Sequence, residues 1–358
     1  MTMNTIEQAI VDGLTRHPPR SGAALRTTIA LSGGVDSMVL LHGMYRIQQG
    51  VSSKNAPNYP PIVEFDALHI HHGLSPNADQ WAAFCQRECD AREVPLTIVR
   101  VAVDRSNTDG QGIEGAARAA RYQAFQRHAG SRIVAAQHAD DQAETVLHQM
   151  LRGTGIAGLA AMGEVRLVSP GQVLLRPLLS ISRAEIEAYA ALHEVGWIHD
   201  ESNDDTAITR NFIRHEALPL LATRFPHVAA SLTRIARHAA ESTEMLDALA
   251  RIDLGWDGVE STDGAEAVEG AEAVEAAEET ATATAAALDG LPLSRQTNAL
   301  YHWLKWQGVA TPSRSQLESW AAQLFRPSPS DKPHQAGGHD FVIRRQRGKL
   351  TLLRRSSP

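Results

Sequence analysis

Six consecutive residues, Ser32-Gly33-Gly34-Val35-Asp36-Ser37, stand between an apolar run, RTTIAL at 26–31, that reads as a buried strand and a helical pattern from Asp36 through Ile47. Two adjacent glycines let the backbone come close to a ligand, and the amides of such a turn, with a helix N-terminus behind them, point at an anion. The loop therefore reads as a phosphate cradle. Neither GxxxxGK[ST] nor GxGxxG occurs in the chain. A cradle without a lysine suits a clamp on pyrophosphate in a reaction at an α-phosphate, and Asp36 is placed to hold Mg2+ against the phosphates. A glycine turn capped by Asp36 is the plainer alternative, but all six residues and both flanks fit the cradle.

A second set begins at Asp140. On the helix that follows, Asp141, Glu144, His148 and Arg152 share one side, while Ala143, Val146, Leu147, Met150 and Leu151 form the other. Two carboxylates at a helix start can bind Mg2+ with Asp36, or hold a cationic substrate and take its proton. N-capping by Asp140 and Asp141 is the competing role. Arg118 and Arg121 share a helix face at i,i+3 and Arg210 and Arg214 another at i,i+4, although surface arginines are usually only solvated. Arg152-Gly153-Thr154-Gly155 fits a second phosphate or RNA contact, with a helix C-cap as the plainer alternative. His69, His71 and His72 end a strand with no carboxylate cluster beside them, which makes zinc a poor fit. The two cysteines, Cys85 and Cys89, lie i,i+4 apart without a second pair, so packed or half-exposed thiols are expected rather than a metal site or disulfide framework.

The elements that must position these groups alternate. Strand patterns at 26–31, 61–70, 95–103 and 131–138 are separated by helical patterns at Asp36–Ile47, Asp79–Ala91 and Glu114–His128, and the last is followed by Asp141–Leu151. Such alternation implies an α/β fold, a parallel twisted sheet flanked by helices, with ligands at the carboxyl ends of the strands. From Arg183 the pattern turns helical, so the first domain is expected at 1–215 and a mostly helical second domain at 216–358. Residues 257–289 hold ten acids and no Lys or Arg, with GAEAVE repeated at 264–269 and 270–275. Acids every three residues leave no apolar stripe, and the stretch is expected to be a solvated spacer within the second domain. Residues 290–358 hold eleven Lys and Arg against three acids, so the net charge of −7 conceals a basic C-terminal piece. Its end, HDFVIRRQRGKLTLLRR, alternates basic and apolar residues around Gly348 as a hairpin would, and Trp303, Trp306 and Trp320 read as core residues of two helices. The start, MTMNTIEQAIVDGL, is amphipathic rather than signal-like, and no apolar run reaches the ~20 residues that span a bilayer. A cytoplasmic protein without a membrane partner is expected.

SGGVDS resembles the signature of the PP-loop ATP pyrophosphatases. The blocks DALHIHHGLSPNADQW, EGAARAARYQAF, QHADDQAETVLHQMLRGTGIAGLAAM, LLRPLLSISRAEI and DESNDDTAITRNFIRHEALPLL then resemble, in order and over roughly residues 25–225, the tRNA(Ile)-lysidine synthase family. ALYHWLKWQG and PSRSQLESW look like that family's middle domain. The resemblance departs at Gln137, where the family usually has the first of two histidines. Longer members carry a further C-terminal domain, before which this chain is expected to stop.

The resemblance implies a two-step reaction. ATP adenylates the C2 oxygen of the wobble cytidine of tRNA(Ile) with a CAU anticodon, and the ε-amine of free L-lysine then attacks C2 and expels AMP. Its cofactors are ATP and Mg2+, the metal on Asp36 and Asp141. Catalysis falls to Asp36, Asp141 and Glu144 with Arg118 and Arg210, since guanidinium forks suit the developing phosphate charge. ATP is assigned to Ser32, Gly33, Gly34, Val35, Asp36 and Ser37, to His69 beside the adenosine, and to Arg152 and Gly153. The tRNA is assigned to Arg121 and Arg214 and to the C-terminal Arg344, Arg345, Arg347 and Arg354. Self-association as a homodimer is left open. A tRNA thiolase is the nearest rival, though a CxxxC pair is poor equipment for sulfur chemistry. A non-catalytic RNA-binding module on a PP-loop scaffold is the rival from another class.

Overall fold

The computed structural model describes residues 4–18, 26–51, 64–103, 112–127, 130–255, 283–284, 286–309, 312–325, 333–338 and 340–354. The chain divides into two compact units, Met1–Ala240 and Glu241–Pro358.

In the first unit, α1 (Thr5–Arg16) starts at Asn4, whose side chain accepts from the Ile6 amide while Glu7 reaches back to the Asn4 amide. The apolar run before the glycines is β1 (Thr27–Ala30), followed by α2 (Val35–Val51), β2 (Phe65–His71), α3 (Ala78–Asp90), β3 (Leu96–Arg100), α4 (Gly112–Arg127) and β4 (Arg132–Val134). Then come α5 (Ala139–Leu151), the short α6 (Ile156–Leu159), β5 (Val165–Ser169), β6 (Gln172–Leu175) and α7 (Arg183–Leu192). The expected alternation is present, with ends shifted by a few residues, as helix fraying dictates.

The sheet runs β3-β2-β1-β4-β6-β5. β1 pairs in parallel with β2 on one side and β4 on the other, so the chain order reverses direction at β1. That is a topological switch point, where the carboxyl ends of two strands leave a crevice. β6 extends the parallel set beside β4, and β5 turns back antiparallel at the edge. These last two strands were absent from the sequence reading. β5 is short and half-exposed, with Arg166 and Ser169 interrupting its apolar pattern, although Pro170-Gly171 marked the turn, where Gly171 adopts φ +76. One face of the sheet is covered by α1, α2, α3 and α7 through Ile6, Ile10, Met38, Met44, Cys85, Ile186 and Tyr189, and the other by Phe125 of α4 on Leu68, Ile133 and Leu174.

After α7 a 3-10 turn (Glu201–Asp204) leads to α8 (Thr209–Phe212), which passes through a π-helical turn (Ile213–Ala217) into α9 (Leu218–Arg224) and then α10 (Val228–Asp253). Leu218, Val228, Leu232 and Ala236 pack on Ala143 and Val146 of α5. This apolar contact carries the first unit past the expected seam at 215/216, to 240/241 within α10. No helix among the described residues is long and apolar enough to cross a membrane.

The second unit contains β7 (Ala283–Thr284), a 3-10 turn (Ala286–Leu288), α11 (Leu293–Trp306), α12 (Arg314–Leu324), β8 (His334–Gly337), β9 (Phe341–Gln346) and β10 (Lys349–Arg354). The strands form an antiparallel sheet, β7-β10-β9-β8. The hairpin expected around Gly348 is there, with Arg347 and Gly348 at φ +50 and +73 in its turn. Trp303 and Trp320 fill the core with Leu300, Leu304, Ile343 and Leu350, and Trp306 packs against it. The GAEAVE repeats lie outside the described residues. The end of the expected spacer does not behave as one: Ala283–Thr284 pairs with β10 and Leu288 is fully buried, because this stretch has exchanged its acids for Ala, Thr and Leu.

Candidate functional site

The switch-point crevice brings together the glycine loop after β1 and His138 after β4. Gly33 takes φ +91, and a side chain there would meet Ile198 Cδ1 at 2.6 Å. The Ile198 amide donates to the Gly33 carbonyl at 3.0 Å, tying the loop to the segment after α7. The amides of Ser32 and Gly33 both converge on Ser37 Oγ, at 3.2 and 3.1 Å. Two backbone donors aimed at one oxygen at the start of a helix is the geometry an anionic oxygen needs.

Asp36 opens α2 beside that loop. Its Oδ2 lies 3.2 Å from Arg183 Nη1 and its Oδ1 lies 3.6 Å from His138 Nε2. Oδ1 is nonetheless buried without a hydrogen-bond partner. Burial raises the carboxyl pKa above its ordinary value, against the pull of His138 and Arg183. His138, 1% exposed, also stands 3.5 Å from Asp141 Oδ2 and, through Nδ1, 3.7 Å from Asp140 Oδ2. Burial opposes its protonation, but the carboxylates of Asp140, Asp141 and Asp36 prevail and its pKa is raised. Asp140 accepts the Arg183 amide at 2.7 Å, clamping the start of α5 to the start of α7.

Asp141 and Glu144 do not face the crevice as bare carboxylates. Arg210 donates to Asp141 Oδ1 and Glu144 Oε2, both at 2.9 Å. Arg214 donates to Asp141 Oδ1 at 2.9 Å and to both Glu144 oxygens, at 2.5 and 3.1 Å. The π-helical turn begins between these arginines, and such turns occur often at functional sites. Asn211 anchors the preceding loop by donating to the carbonyls of Ser202 and Asp205. Arg214, assigned from the sequence to tRNA, therefore belongs with Arg210 to the carboxylate cluster.

The remaining assignments fare differently. His69 lies beneath the loop, its Nδ1 2.9 Å from the Leu31 carbonyl, which fixes that nitrogen as the donor. Burial first, offset by this bond, lowers its pKa, so it is a neutral strut. Arg121 is close enough to His72 to help depress its pKa to about 4, after burial. Arg118 stacks over Tyr122, 5.2 Å from the ring centre. Arg152 and Gly153 follow the far end of α5, and eleven residues of helical rise put Arg152 about 16 Å from Asp141. The structure does not bring them to the loop, and Gly153, at φ +68, fits the C-cap reading.

Cys85 and Cys89 are wholly buried, and burial pushes their thiols up to about 12 and about 11, so neither supplies a thiolate. In the second unit Arg345 is taken up by Asp289 and the Leu324 carbonyl, whereas Arg354 donates to the Gln307 carbonyl. Arg344 lies on the opposite strand face from Arg345, and Arg347 is exposed at the hairpin turn.

Sequence reasoning left His138, Arg183 and Ile198 out of the site. One signal was available for Arg183, a cation at the first position of a helix, where the dipole disfavours it unless an anion is near. Ile198 is an ordinary apolar residue and gave none.

Comparison with known proteins bears on the fold and the family of the chain. The PP-loop domain matches residues 6–221 and the TilS substrate binding domain residues 284–351. The U34-tRNA thiolase NcsA from Methanococcus maripaludis, with its [4Fe-4S] cluster, shares the fold at TM-score 0.50 and 16% identity, over 66% of this chain and 78% of that one. The tRNA(Ile)-lysidine synthase of Nitrosomonas europaea is 38% identical over 92% of this chain, which spans 65% of that protein's length. The tRNA(Ile)-lysidine synthase of Serratia proteamaculans is likewise 38% identical, over 93% of this chain and 69% of its own length. With the cradle, the carboxylate cluster and both domain matches in place, the chain belongs to the tRNA(Ile)-lysidine synthase family.

Proposed function

We propose that this chain carries out ATP-dependent ligation of L-lysine to C2 of the wobble cytidine of tRNA(Ile) with a CAU anticodon, giving lysidine, AMP and pyrophosphate. The observation that carries the reading is the junction, at one crevice, of a lysine-free phosphate cradle with the Asp141–Glu144 pair. ATP, when bound, supplies the adenylyl group that turns the C2 oxygen into a leaving group. The glycine loop and the N-terminus of α2 would hold phosphate oxygens, backed by the α2 dipole. Asp36, with its buried unpartnered Oδ1, and Asp141, beside the same imidazole, fit Mg2+, which typically takes one or two carboxylates plus phosphate oxygens.

Arg183 orients Asp36, and His138, whose pKa the surrounding carboxylates raise, sits among three carboxylates that would otherwise repel one another. Asp141 and Glu144 offer an ammonium group the anionic seat now shared by Arg210 and Arg214. One of these carboxylates accepts the proton that the attacking amine must lose. The two guanidiniums so displaced are then placed to face the phosphate of the departing AMP. With ATP, lysine and tRNA as reactants, the protein is assigned to the cytoplasm. The homodimer is a further expectation, to be checked by sedimentation.

The test is incubation of the full chain with ATP, labelled lysine and a panel of tRNA transcripts. Label should enter only the CAU isoleucine tRNA, with equal release of AMP. ATP turnover without label in RNA would overturn the assignment.

A further inference from the structure

Away from the crevice crowd, three arginines meet at one phenol. Tyr122 of α4 has the Arg118 guanidinium 5.2 Å and the Arg166 guanidinium 4.4 Å from its ring centre. Both also reach its hydroxyl, Arg166 Nη1 at 3.2 Å and Arg118 Nη2 at 3.4 Å. The phenol oxygen thus accepts from two cations, and its own proton is left to donate outward. Arg176, the residue after β6, is the third member. Its side chain is 3% exposed, its Nη1 donates to the Gly163 carbonyl at 2.7 Å, and its Nε is buried with no hydrogen-bond partner. Burial lowers its pKa; Tyr122 opposes that, and Arg166 and Arg118 add to it.

Among the described residues no carboxylate pairs with Arg118, Arg166 or Arg176. Buried charge without a counterion is costly, and like charges gathered around one oxygen add to that cost unless an anion joins them. The position is also informative. Leu175 of β6 is the register partner of Val134, and its carbonyl accepts the Ala135 amide. Arg176 therefore leaves the sheet at the same carboxyl edge as His138, one strand over from β4. Arg118 and Arg166 are exposed on that flank.

We propose that Arg118, Arg166 and Arg176, gathered by Tyr122, form a phosphate subsite that takes a backbone phosphodiester of the RNA substrate. It rests on the proposed function only in naming RNA as the source of the phosphate. Guanidinium forks and an outward phenol proton match the non-bridging oxygens of a phosphodiester. The subsite fixes RNA register beside the crevice and reads no base. A nucleotide phosphate has the same chemistry, so the test separates the two.

The experiment uses the full chain with Arg166→Ala and Tyr122→Phe, each checked for an unchanged melting transition. Binding of tRNA is measured across a salt series, and ATP binding without RNA by calorimetry. Arg166→Ala should weaken tRNA about three- to tenfold and flatten the log K against log[salt] line by about one unit, with ATP affinity unchanged. Tyr122→Phe should weaken tRNA by a smaller factor with little change in slope. A change in ATP affinity with the tRNA slope intact would assign the cluster to the nucleotide and overturn the proposal. Unchanged binding of both ligands would reduce it to a packing device. If the unmodified chain binds tRNA but transfers no lysine, the proposed reaction fails while the subsite stands.

Discussion

Asp36 sits between the Arg183 guanidinium and the His138 imidazole with one oxygen buried and unsatisfied, an arrangement that costs stability unless something binds there. Replacing it by Asn keeps the volume and removes the charge. Asp36→Asn is expected to fold normally and to lower tRNA-dependent AMP release by a factor on the order of 10²–10⁴, several kcal/mol of lost transition-state stabilisation. Near-normal release by a folded variant would remove Asp36 from the chemistry. The buried cysteines of α3 give a pH-dependent check on the packing of that helix. With thiols raised to about 12 and about 11, the native chain holds roughly 10⁻⁴ and 10⁻³ of each as thiolate at pH 8, so Ellman's reagent should titrate them only after denaturation. A raised thiol favours the folded state fully below the unfolded pKa, near 9. Above pH 9 the unfolded chain loses protons that the folded one keeps, so stability should fall as pH rises toward 11. Rapid labelling of native protein at pH 8 would show that α3 opens. Of the five residues that the sequence assigned to catalysis, Asp36, Asp141, Glu144 and Arg210 lie along one crevice while Arg118 stacks on Tyr122, and helix spacing accounts only for the shared face of Asp141 and Glu144. It misplaced Arg152 and Gly153, because sharing a helix stripe with Asp141 does not bring a residue to the same end.

Between elements, the loop is held by the strand before it, the helix after it and the Ile198 strap. Gly33→Ala puts a β-carbon at φ +91 and 2.6 Å from Ile198 Cδ1. A strained residue of this kind costs about 1–3 kcal/mol, and here it also pushes the strap away. Chemical denaturation should register that loss, together with weakened ATP binding; an unchanged midpoint and ATP affinity would mean the loop does not need its conformation. Long, strongly periodic elements were legible from sequence: α2, α3, α4 and α5 all lie within a few residues of where their patterns put them. The β5–β6 hairpin was not, since four or five residues with a charged member carry too little periodicity to be distinguished from a loop. The helices after residue 215 were seen, but their docking onto α5 was not, because an amphipathic face announces that it will be buried without naming its partner.

Over the whole molecule, the uneven charge sets how the chain should respond to salt. The structure narrows which C-terminal arginines can matter: Arg345 is committed to Asp289 and Leu324, whereas Arg344 and Arg347 are not held in that way. The Arg344→Ala and Arg347→Ala pair should flatten the tRNA salt line by up to about two units without altering ATP binding. An unchanged slope would show that this hairpin is not an RNA surface. The acidic stretch is bounded by structure on both sides, since Leu254 and Leu288 are buried in the same core. Replacing 257–282 with a short Gly-Ser linker should therefore leave the melting temperature and lysine transfer nearly unchanged, because loop-closure entropy varies only slowly with length. Loss of cooperative unfolding in that variant would mean the acids pack. A segment that departs from and returns to one core is also a handle: a fluorescent or affinity module inserted at 257–282 would be tethered at both ends to a single folded body, reporting on the chain without lengthening the path between its two units.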